Sequence, residues 1–268
     1  MGTGSADRWV SGSAYDSYIG RWSRRVAPDF LDWLELPADR RWLDVGCGTG
    51  ALTAAILTRC DPRSVIGVDP SETFVAHARA TVRDARATFA EGTAAMTGLT
   101  DGEVDVVVSG LVLNFVPDLG AALAEAQRVV RPGGLVAGYI WDYAEGMQLL
   151  RRFWDAAVAL DPAAHPLDEA VRFPSAGPEP LAAAFAAAGL EAVAVRPIEV
   201  PTVFSDFDDL WQPFLSGTAP APGYVASLGD PARIALRERL RASVAHEPDG
   251  SIRLVARAWA TRGHRPVP

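Results

Sequence analysis

The sequence predicts an α/β protein built on an open, doubly wound and mostly parallel sheet of seven strands. Short apolar runs alternate with helix-like segments from residue 41 to 200, and a glycine-rich turn follows the first run. This alternation is typical of a parallel sheet covered by helices on both faces. The continuous apolar character of the runs suits strands that are buried on both sides.

The seven strands can be placed in order along the chain. The candidates are 42–45, 65–69, 87–90, 104–109, 135–141, 191–200 and 252–260. Helices are expected over 51–59, 72–83, 119–130 and 180–188, and Gly189 ends the last of them. The Pro-Gly pair within 131–134 predicts a turn that ends a helix and leads into the fifth strand.

Four regions follow from this order. Residues 1–40 are expected to form a helical segment that covers the ligand, because aromatic residues recur there at helix-like intervals. Residues 41–200 are expected to form the ligand-binding α/β core, with an insertion at 143–177. Residues 201–250, in which aromatic residues are interleaved with Pro and Gly, predict a lid over the substrate, and 251–268 hold the final strand and a tail.

Composition excludes several kinds of site and partner. All 25 basic residues are arginines, so a Schiff-base lysine and a P-loop lysine are impossible. The two cysteines, Cys47 and Cys60, are too few for a disulfide scaffold, and no Cys/His cluster has the spacing of a metal site. A net charge of -8 argues against binding of nucleic acid, which requires a basic face.

The chain is expected to fold in water. Its 268 residues, 49% hydrophobic and 22% charged, suffice for a full core. No apolar run approaches the roughly 20 residues of a membrane span, and the first residues lack a basic stretch followed by an apolar segment. We therefore expect a cytoplasmic protein without a membrane partner.

The stretch RWLDVGCGTGALT, residues 41–53, predicts a strand, a turn and a helix. Gly46, Gly48 and Gly50 alternate in the turn, and glycine permits positive φ and a close approach of the main chain to a ligand. The second strand ends in Asp69, whose two acceptor oxygens suit the hydroxyls of a ribose. Ligands of open parallel sheets bind beyond the carboxyl ends of the strands, so a nucleoside ligand is expected.

Two nucleoside ligands fit this pattern. Gly46, Gly48 and Ala51 satisfy the glycine spacing of dinucleotide binders. Asp44, however, places a negative charge close to where a pyrophosphate would lie, which is unfavourable for a phosphate and harmless or favourable for a sulfonium zwitterion. Asp44 therefore favours S-adenosylmethionine over NAD.

Five stretches between residues 41 and 143 resemble, in the correct order, the motifs of the class I S-adenosylmethionine-dependent methyltransferases of the small-molecule type. They are LDVGCGTG, VIGVDPS, FAEGTAAM, VDVVVSGLVLNFVPD and EAQRVVRPGGLVAGYIWDY. The resemblance implies a Rossmann-like methyltransferase fold, with S-adenosylmethionine as cofactor and S-adenosylhomocysteine as product.

The resemblance also implies roles for individual residues. The glycines would face the methionine part, Asp69 would hold the ribose, 70–71 would flank the adenine, 93–94 would meet its edge, and 109–111 would lie under the sulfonium. Thr93 departs from the family, in which many members have Asp there. The cofactor set is Asp44, Gly46, Cys47, Gly48, Asp69, Pro70, Ser71, Thr93, Ala94, Ser109, Gly110 and Leu111.

The segment YDSYIGRWSRR is also similar to segments that fold over the cofactor in some relatives. Tyr18 is expected to close the pocket at the methionine end. Arg21 is expected to pair with the methionine carboxylate through a charge-assisted hydrogen bond.

Methyl transfer from a sulfonium depends on alignment and on exclusion of water more than on a dedicated base. Where the acceptor must lose a proton, a base contributes as well. The candidate bases are Tyr143, Asp142, His165 and His246, and none stands at a diagnostic spacing. Asn114 is a further candidate for a contact at the catalytic site. An apolar or aromatic small-molecule acceptor is expected to be lined by Trp141, Tyr143, Trp154, Trp211, Phe214 and Tyr224.

Two other functions stay open on the sequence. A protein of this fold can bind S-adenosylmethionine and perform cyclisation or decarboxylation, or serve as a non-catalytic partner. Release of S-adenosylhomocysteine separates methyl transfer from these alternatives. An NAD-dependent oxidoreductase is the second alternative. Asp44 and the lack of a Tyr/Lys hydride-transfer pair disfavour it.

Overall fold

The computed structural model describes residues 21–216 and 219–268. Its strands are β1 (Arg41–Val45), β2 (Ser64–Asp69), β3 (Ala87–Glu91), β4 (Val104–Gly110), β5 (Val130–Trp141), β6 (Glu191–Phe204) and β7 (Ile252–His264). They form one seven-stranded sheet in the order β3-β2-β1-β4-β5-β7-β6. The α/β fold with a seven-stranded sheet that the sequence predicts is confirmed.

Helices connect these strands. They are α1 (Arg21–Leu34), α2 (Ala51–Arg59), α3 (Glu72–Thr81), α4 (Leu119–Val129), α5 (Gln148–Leu160), α6 (Glu169–Arg172), α7 (Pro178–Ala187), α8 (Phe207–Trp211), α9 (Pro220–Ser227) and α10 (Asp230–Ser243), with 3-10 turns at Leu113–Phe115, Pro162–Leu167 and Gln212–Leu215. Within residues 21–216 and 219–268, no helix has the length and apolar character needed to cross a membrane.

The strand order reverses between β1 and β4. β1 pairs in parallel with β2 on one side and with β4 on the other. The chain proceeds from β1 outward through β2 to β3, and then returns to begin β4 beside β1. In open α/β sheets, ligands bind beyond the carboxyl ends of the strands at such a reversal. A ligand site is therefore expected at the residues that follow β1, β2 and β4.

The chain divides into two compact units, each assembled from separate stretches. The core unit comprises residues 24–140, 175–198 and 258–268. The aromatic unit comprises 141–174 and 199–257, together with the described residues before Arg24. Three boundaries between the units fall within long strands: after residue 140 in β5, after 198 in β6 and after 257 in β7. Each of these strands therefore contributes residues to both units.

β6 continues beyond its predicted end, through Pro201 to Phe204. The sequence predicts that this strand ends at residue 200, and the structure extends it through Pro201, which lacks the N–H that the interior of a sheet requires. β6 lies at the edge of the sheet, where part of the N–H groups face no neighbouring strand. Proline is tolerated in such a position.

The predicted turn at 131–134 lies within β5. On β4, Val104 pairs with Val130 of β5, but Val106, two residues later, pairs with Leu135. β5 therefore carries extra residues between these two pairs, as a bulge. Gly133 N–H donates to the carbonyl of Arg265 at 2.9 Å, and Arg265 N–H donates to the carbonyl of Gly134 at 3.0 Å. A partner distant in sequence therefore turns the expected Pro-Gly turn into part of the sheet.

Asp105, near the start of β4, joins three neighbouring strands of the core unit. Its Oδ2 accepts from Arg41 N–H at 2.8 Å and its Oδ1 accepts from Arg131 Nε at 2.7 Å. Burial opposes ionisation of this carboxyl, but the hydrogen bonds from Arg41 and Arg131 hold the pKa of Asp105 below its usual range. The ionised side chain thus stabilises the start of the β1–β4–β5 pairing.

We expect Asp105→Asn to lower the free energy of unfolding by about 1–3 kcal/mol at pH 7, because a largely buried side chain loses the charge that pairs with Arg41 and Arg131. A depressed pKa contributes stability that is present above the ordinary pKa and is lost as the pH falls. The difference between variant and parent should therefore shrink below about pH 4. Urea unfolding at pH 7 and pH 3 measures both values.

The matched control is Asp39→Asn. Asp39 pairs with Arg63, and both side chains are exposed, so this ion pair is weak in water. The control is expected to unfold like the parent. A loss of stability in Asp39→Asn as large as that in Asp105→Asn would contradict the assigned role of burial.

Candidate functional site

The glycine-rich turn after β1 is held to the end of β2 by hydrogen bonds. The N–H groups of Gly46 and Cys47 both donate to the carbonyl of Val68, at 2.8 and 3.0 Å. Gly46, Gly48 and Gly50 have φ angles of +71°, +52° and +89°. Glycine adopts such angles without the steric cost of a side chain. The turn therefore has a defined shape before any ligand binds.

The three glycines differ in the space beside them. A Cβ on Gly46 would lie 2.6 Å from a methyl of Val112, and one on Gly50 would lie 2.8 Å from a methyl of Val82. These two positions are closed by packing. A Cβ on Gly48 would meet no described atom within 4 Å. Gly48 is thus the point at which the turn presents its main chain to open space.

Asp69 ends β2 and is bonded to the same turn. Its Oδ2 accepts from Gly48 N–H at 3.0 Å, and its Oδ1 accepts from Ser71 N–H at 2.9 Å. The cap of α3 is Ser71, whose Oγ accepts from Phe74 N–H. Burial raises the pKa of Asp69, against the effect of its backbone hydrogen bonds. Each carboxylate oxygen keeps a lone pair, so these bonds are compatible with a ribose contact.

Asp44 is buried at the end of β1, with 1% of its surface exposed. Its Oδ2 accepts from the Thr53 hydroxyl at 2.7 Å. Its Oδ1 has no hydrogen-bond partner among the residues described. Burial, with a smaller contribution from the charge of Asp69, raises the pKa of Asp44 to about 7, against the hydrogen bonds from Thr53. A cationic group beside this carboxyl would favour its ionised form.

The residues expected around the adenine lie on two loops next to Asp69. Residues 70–71 follow it directly, the first exposed and the second half-buried. The second loop is joined to β2 by Gly92, whose N–H donates to the Asp69 carbonyl at 3.2 Å. Residues 93–94 come next, the first exposed and the second half-buried. The fold therefore brings both pairs to the end of β2, and their contacts with an adenine stay a prediction.

The exit of β4 is fixed by contacts with β1 and β5. The Ser109 hydroxyl donates to the carbonyl of Val45 at 2.9 Å. A Cβ on Gly110 would lie 2.7 Å from the hydroxyl oxygen of Tyr139. Leu111 has a φ of +61°, and its N–H donates to the Tyr139 carbonyl at 2.7 Å. The three residues predicted to lie under the sulfonium therefore occupy a rigid segment.

Cys47 and Asn114 have contrasting surroundings. The Cys47 side chain packs with Val75, Ala78 and Phe89 in the core, and burial raises the pKa of its thiol. The thiol therefore serves packing, and only the main chain of Cys47 belongs to the turn.

Asn114 lies in the 3-10 turn after β4, and both polar atoms of its side chain are buried without a hydrogen-bond partner in the described part of the chain.

The predictions for the segment before β1 fall largely outside the structure described. Tyr18 lies outside the described residues, and of Arg21 only the main chain in α1 is described. Their contacts with a cofactor stay predictions. Further along α1, Phe30 is buried, and its ring lies 4.7 Å from that of Tyr139 between centroids.

The six aromatic residues expected around the substrate all belong to the aromatic unit and are all buried. Phe153 of α5 links four of them: its ring stacks on Phe214 at 4.4 Å and meets Trp154 edge-on at 5.0 Å. Tyr224 and Trp211 complete this cluster through contacts with Trp154 and Phe214. Tyr143 instead contacts Phe173, and Trp141 ends β5. These rings form the core of the unit, and a role in substrate binding stays a prediction.

The candidate bases of the aromatic unit are dispersed. His165 and His246 are exposed on separate segments, and His246 Nδ1 lies 3.4 Å from the carbonyl oxygen of Gly250. Asp142 accepts from Arg257 Nε at 2.6 Å and forms a largely buried ion pair. The ion pair with Arg257 gives the Asp142 carboxylate a structural role. Tyr143 is buried beside Phe173.

Two residues that shape the site escaped the sequence analysis. Thr53 lies on α2, nine residues after Asp44, and its polar side chain on a buried helix face is the signal that could have shown it. Val112 covers Gly46, but this contact depends on the pairing of β1 with β4 and leaves no local signal.

We expect Asp44→Asn to have a higher free energy of unfolding than the parent, and we expect this difference to increase from about pH 4 to pH 8. The folded-state pKa of about 7 exceeds the ordinary value of 3.8, so the parent loses stability as the pH rises through this interval. Asn keeps an oxygen for Thr53 and does not ionise. The difference in unfolding free energy should grow by about 1.4 kcal/mol for each unit of the pKa shift, as measured by urea unfolding.

Glu169→Gln is the positive control for this experiment. Glu169 is buried in the aromatic unit and accepts from the indole N–H of Trp154. Burial raises the pKa of Glu169 to about 7. Both variants should show the same trend with pH. A difference for Asp44→Asn that stays constant across the range would contradict the raised pKa of Asp44.

Comparisons with known proteins bear on this site. Residues 43–138 match the methyltransferase domain family. The chain is 35% identical over 132 residues to an uncharacterized methyltransferase of Mycobacterium tuberculosis, a match that covers 48% of this chain and 52% of that protein. It is 32% identical over 183 residues to the 2-methyl-6-phytyl-1,4-hydroquinone methyltransferase of Synechocystis, covering 66% and 55%. The chain thus spans about half the length of the curated relatives it matches.

The fold is shared with solved methyltransferases. Phosphoethanolamine N-methyltransferase 2 of Haemonchus contortus, solved in complex with S-adenosyl-L-methionine, superposes with a TM-score of 0.59 at 17% identity. The superposition covers 95% of this chain and 56% of that one, and at this identity it concerns the fold alone. Residues 43–138 thus match the methyltransferase domain family, which confirms the resemblance found in the motifs, and the chain has the Rossmann-like fold of the solved methyltransferases.

Proposed function

We propose that the chain is an S-adenosylmethionine-dependent methyltransferase that acts on a small organic acceptor. The observation that carries this is the open main chain at Gly48, set beside two buried carboxyl groups, Asp44 and Asp69, where the strand order reverses. Ribose hydroxyls can donate to Asp69, and a cationic group can approach the unpartnered Oδ1 of Asp44. The matched methyltransferase domain supports the same cofactor.

The hydrogen bonds of the turn favour this cofactor over a dinucleotide. A pyrophosphate on a glycine-rich turn needs main-chain N–H donors. Here the N–H groups of Gly46 and Cys47 already donate to Val68, and that of Gly48 donates to Asp69. A ligand with cationic and hydroxyl donors needs acceptors instead, and the two carboxyl groups provide them. This distribution of donors and acceptors argues against the NAD-dependent alternative.

The residues of the site would bind and align the cofactor. Asp69 would hold the ribose, Asp44 would favour the cationic end, and the rigid segment from Ser109 to Leu111 would support the reacting end. When bound, S-adenosylmethionine supplies an electrophilic methyl group: the acceptor's lone pair forms the new bond, the sulfur keeps the electrons of the old bond, and the acceptor's proton passes to water. Alignment supplies about 7 kcal/mol or more in favourable intramolecular models, so a dedicated base is not required.

A small apolar or aromatic acceptor is proposed on two grounds. The Synechocystis relative is named for a hydroquinone substrate. The net charge of -8 disfavours a nucleic acid. The alternative is a protein that binds S-adenosylmethionine but performs cyclisation or decarboxylation. Only methyl transfer releases S-adenosylhomocysteine, so its release during turnover distinguishes methyl transfer from these reactions.

We expect the parent to bind S-adenosylmethionine and S-adenosylhomocysteine in calorimetry and not to bind NADH. Gly48→Ala should weaken S-adenosylhomocysteine binding at least tenfold, about 1.4 kcal/mol or more, because its methyl would enter the space proposed for the ligand. Asp69→Ala should weaken binding by about 1–3 kcal/mol, because the ribose hydroxyls lose their acceptor. If the parent binds NADH but neither S-adenosylmethionine nor S-adenosylhomocysteine, the proposal is wrong and the NAD-dependent oxidoreductase takes its place.

Gly98→Ala is the matched control for Gly48→Ala. Gly98 also has a positive φ, +80°, and a Cβ there would meet no described atom within 4 Å. The two variants should lose similar stability, about 1–2 kcal/mol from the left-handed backbone. Only Gly48→Ala is expected to lose affinity. Equal affinities in both variants would remove Gly48 from the proposed cofactor site.

A further inference from the structure

The side-chain amide of Asn114 has no role in the folded chain as described. Its Nδ2 and Oδ1 are both buried, and neither has a hydrogen-bond partner within residues 21–216 and 219–268. Burial of an amide without a protein hydrogen-bond partner is unfavourable. Asn114 is also the only asparagine in the sequence. A buried amide left unpaired in this way is suited to a ligand that supplies both partners.

The main chain around Asn114 is fixed on two sides. On the β1 side, the Val112 side chain packs so closely on Gly46 that a Cβ there would lie 2.6 Å from it. On the β5 side, Leu111 N–H donates to the carbonyl of Tyr139 at 2.7 Å. The 3-10 turn Leu113–Phe115 follows directly. The amide is therefore carried by a rigid segment at the carboxyl end of β4, at the reversal of strand order.

The chemistry of an amide limits the groups it can bind. It offers one strong acceptor and two donors, and it neither carries charge nor takes up a proton near neutral pH. A hydroxyl or amine hydrogen matches Oδ1, and an oxygen matches Nδ2. A thiol is a weak donor and a weak acceptor, so it would leave the buried amide poorly paired.

We propose that Asn114 binds the methyl acceptor and selects one with an O–H or N–H nucleophile over a thiol. The acceptor's hydrogen is donated to Oδ1, which leaves the lone pair of the nucleophilic atom free to react. This inference rests on the proposed methyltransferase function and adds the class of the acceptor to it. Asp44 and Asp69 offer only oxygen acceptors when ionised, so Asn114 supplies the neutral amide donor that the carboxyl groups lack.

The test uses three variants of the full chain. Asn114→Leu removes the amide and keeps a similar size, and Asn114→His restores one donor and one acceptor. The control, Gln127→Leu, removes an amide of the core unit that is already paired, since Gln127 Nε2 donates to the Gly189 carbonyl at 3.2 Å. Three quantities are measured: melting temperature without ligand, S-adenosylhomocysteine affinity by calorimetry, and transfer of labelled methyl from S-adenosylmethionine to catechol, benzylamine and benzyl mercaptan.

The parent is expected to methylate catechol or benzylamine faster than benzyl mercaptan. Asn114→Leu should lose at least about tenfold in kcat/KM for the favoured probe, because the acceptor loses its partner. The same change should raise the melting temperature by about 2–4 °C, because an unpaired buried amide is removed. Its S-adenosylhomocysteine affinity should match the parent. Asn114→His should recover part of the lost transfer, and Gln127→Leu should transfer methyl like the parent without gaining stability.

Several results would overturn the assignment. Undiminished transfer by Asn114→Leu, faster transfer to the mercaptan, or no transfer to the hydroxyl and amine probes while S-adenosylhomocysteine binds would each exclude the proposed acceptor contact. A lower melting temperature together with weaker S-adenosylhomocysteine binding would assign Asn114 to the fold or to the cofactor. Failure of the parent to bind S-adenosylhomocysteine would instead reject the proposed function, and the acceptor contact with it.

Discussion

The hydrogen bonds that join the exits of β1 and β2 are the constraint on which the rest of the site depends. One carbonyl, that of Val68, accepts from two consecutive N–H groups of the glycine-rich turn, and the next residue, Asp69, accepts from a third. Both acceptors belong to one strand inside a parallel sheet, so they move little. The conformational entropy of the turn is therefore lost on folding and does not have to be lost again when a ligand binds.

The site keeps polar atoms in positions that a purely structural interior would avoid. Asp44 is a buried carboxyl whose pKa lies near neutrality, with one oxygen unpaired, and Asn114 is a buried amide with no partner in the described chain. Both reduce the stability of the ligand-free protein, yet both lie at the reversal of strand order. Conflicts of this kind between stability and chemistry are expected where a protein binds ligands.

Local patterns made most of the core unit predictable. Apolar runs placed the strands, and the spacing of Gly46, Gly48 and Asp69 placed the site, because these signals act within a few residues. Features set by distant neighbours could not be predicted in the same way. Pro201 continues β6 because that strand is at the sheet edge, and 131–134 pair because Arg265 lies beside them. Four of the six aromatic residues predicted around the substrate pack in one cluster around Phe153, a contact that composition does not reveal.

The division of the chain into units has a consequence for synthesis and inheritance. The core unit needs residues 258–268, and the aromatic unit needs residues as late as 257, so neither holds all of its residues until translation has reached the last long strand. Folding that depends on such distant contacts is slow compared with folding from local ones. A single crossover between genes within residues 24–257 would also cut both units at once. Variation in a chain built this way would arise by substitutions within each unit more readily than by exchange of a whole unit.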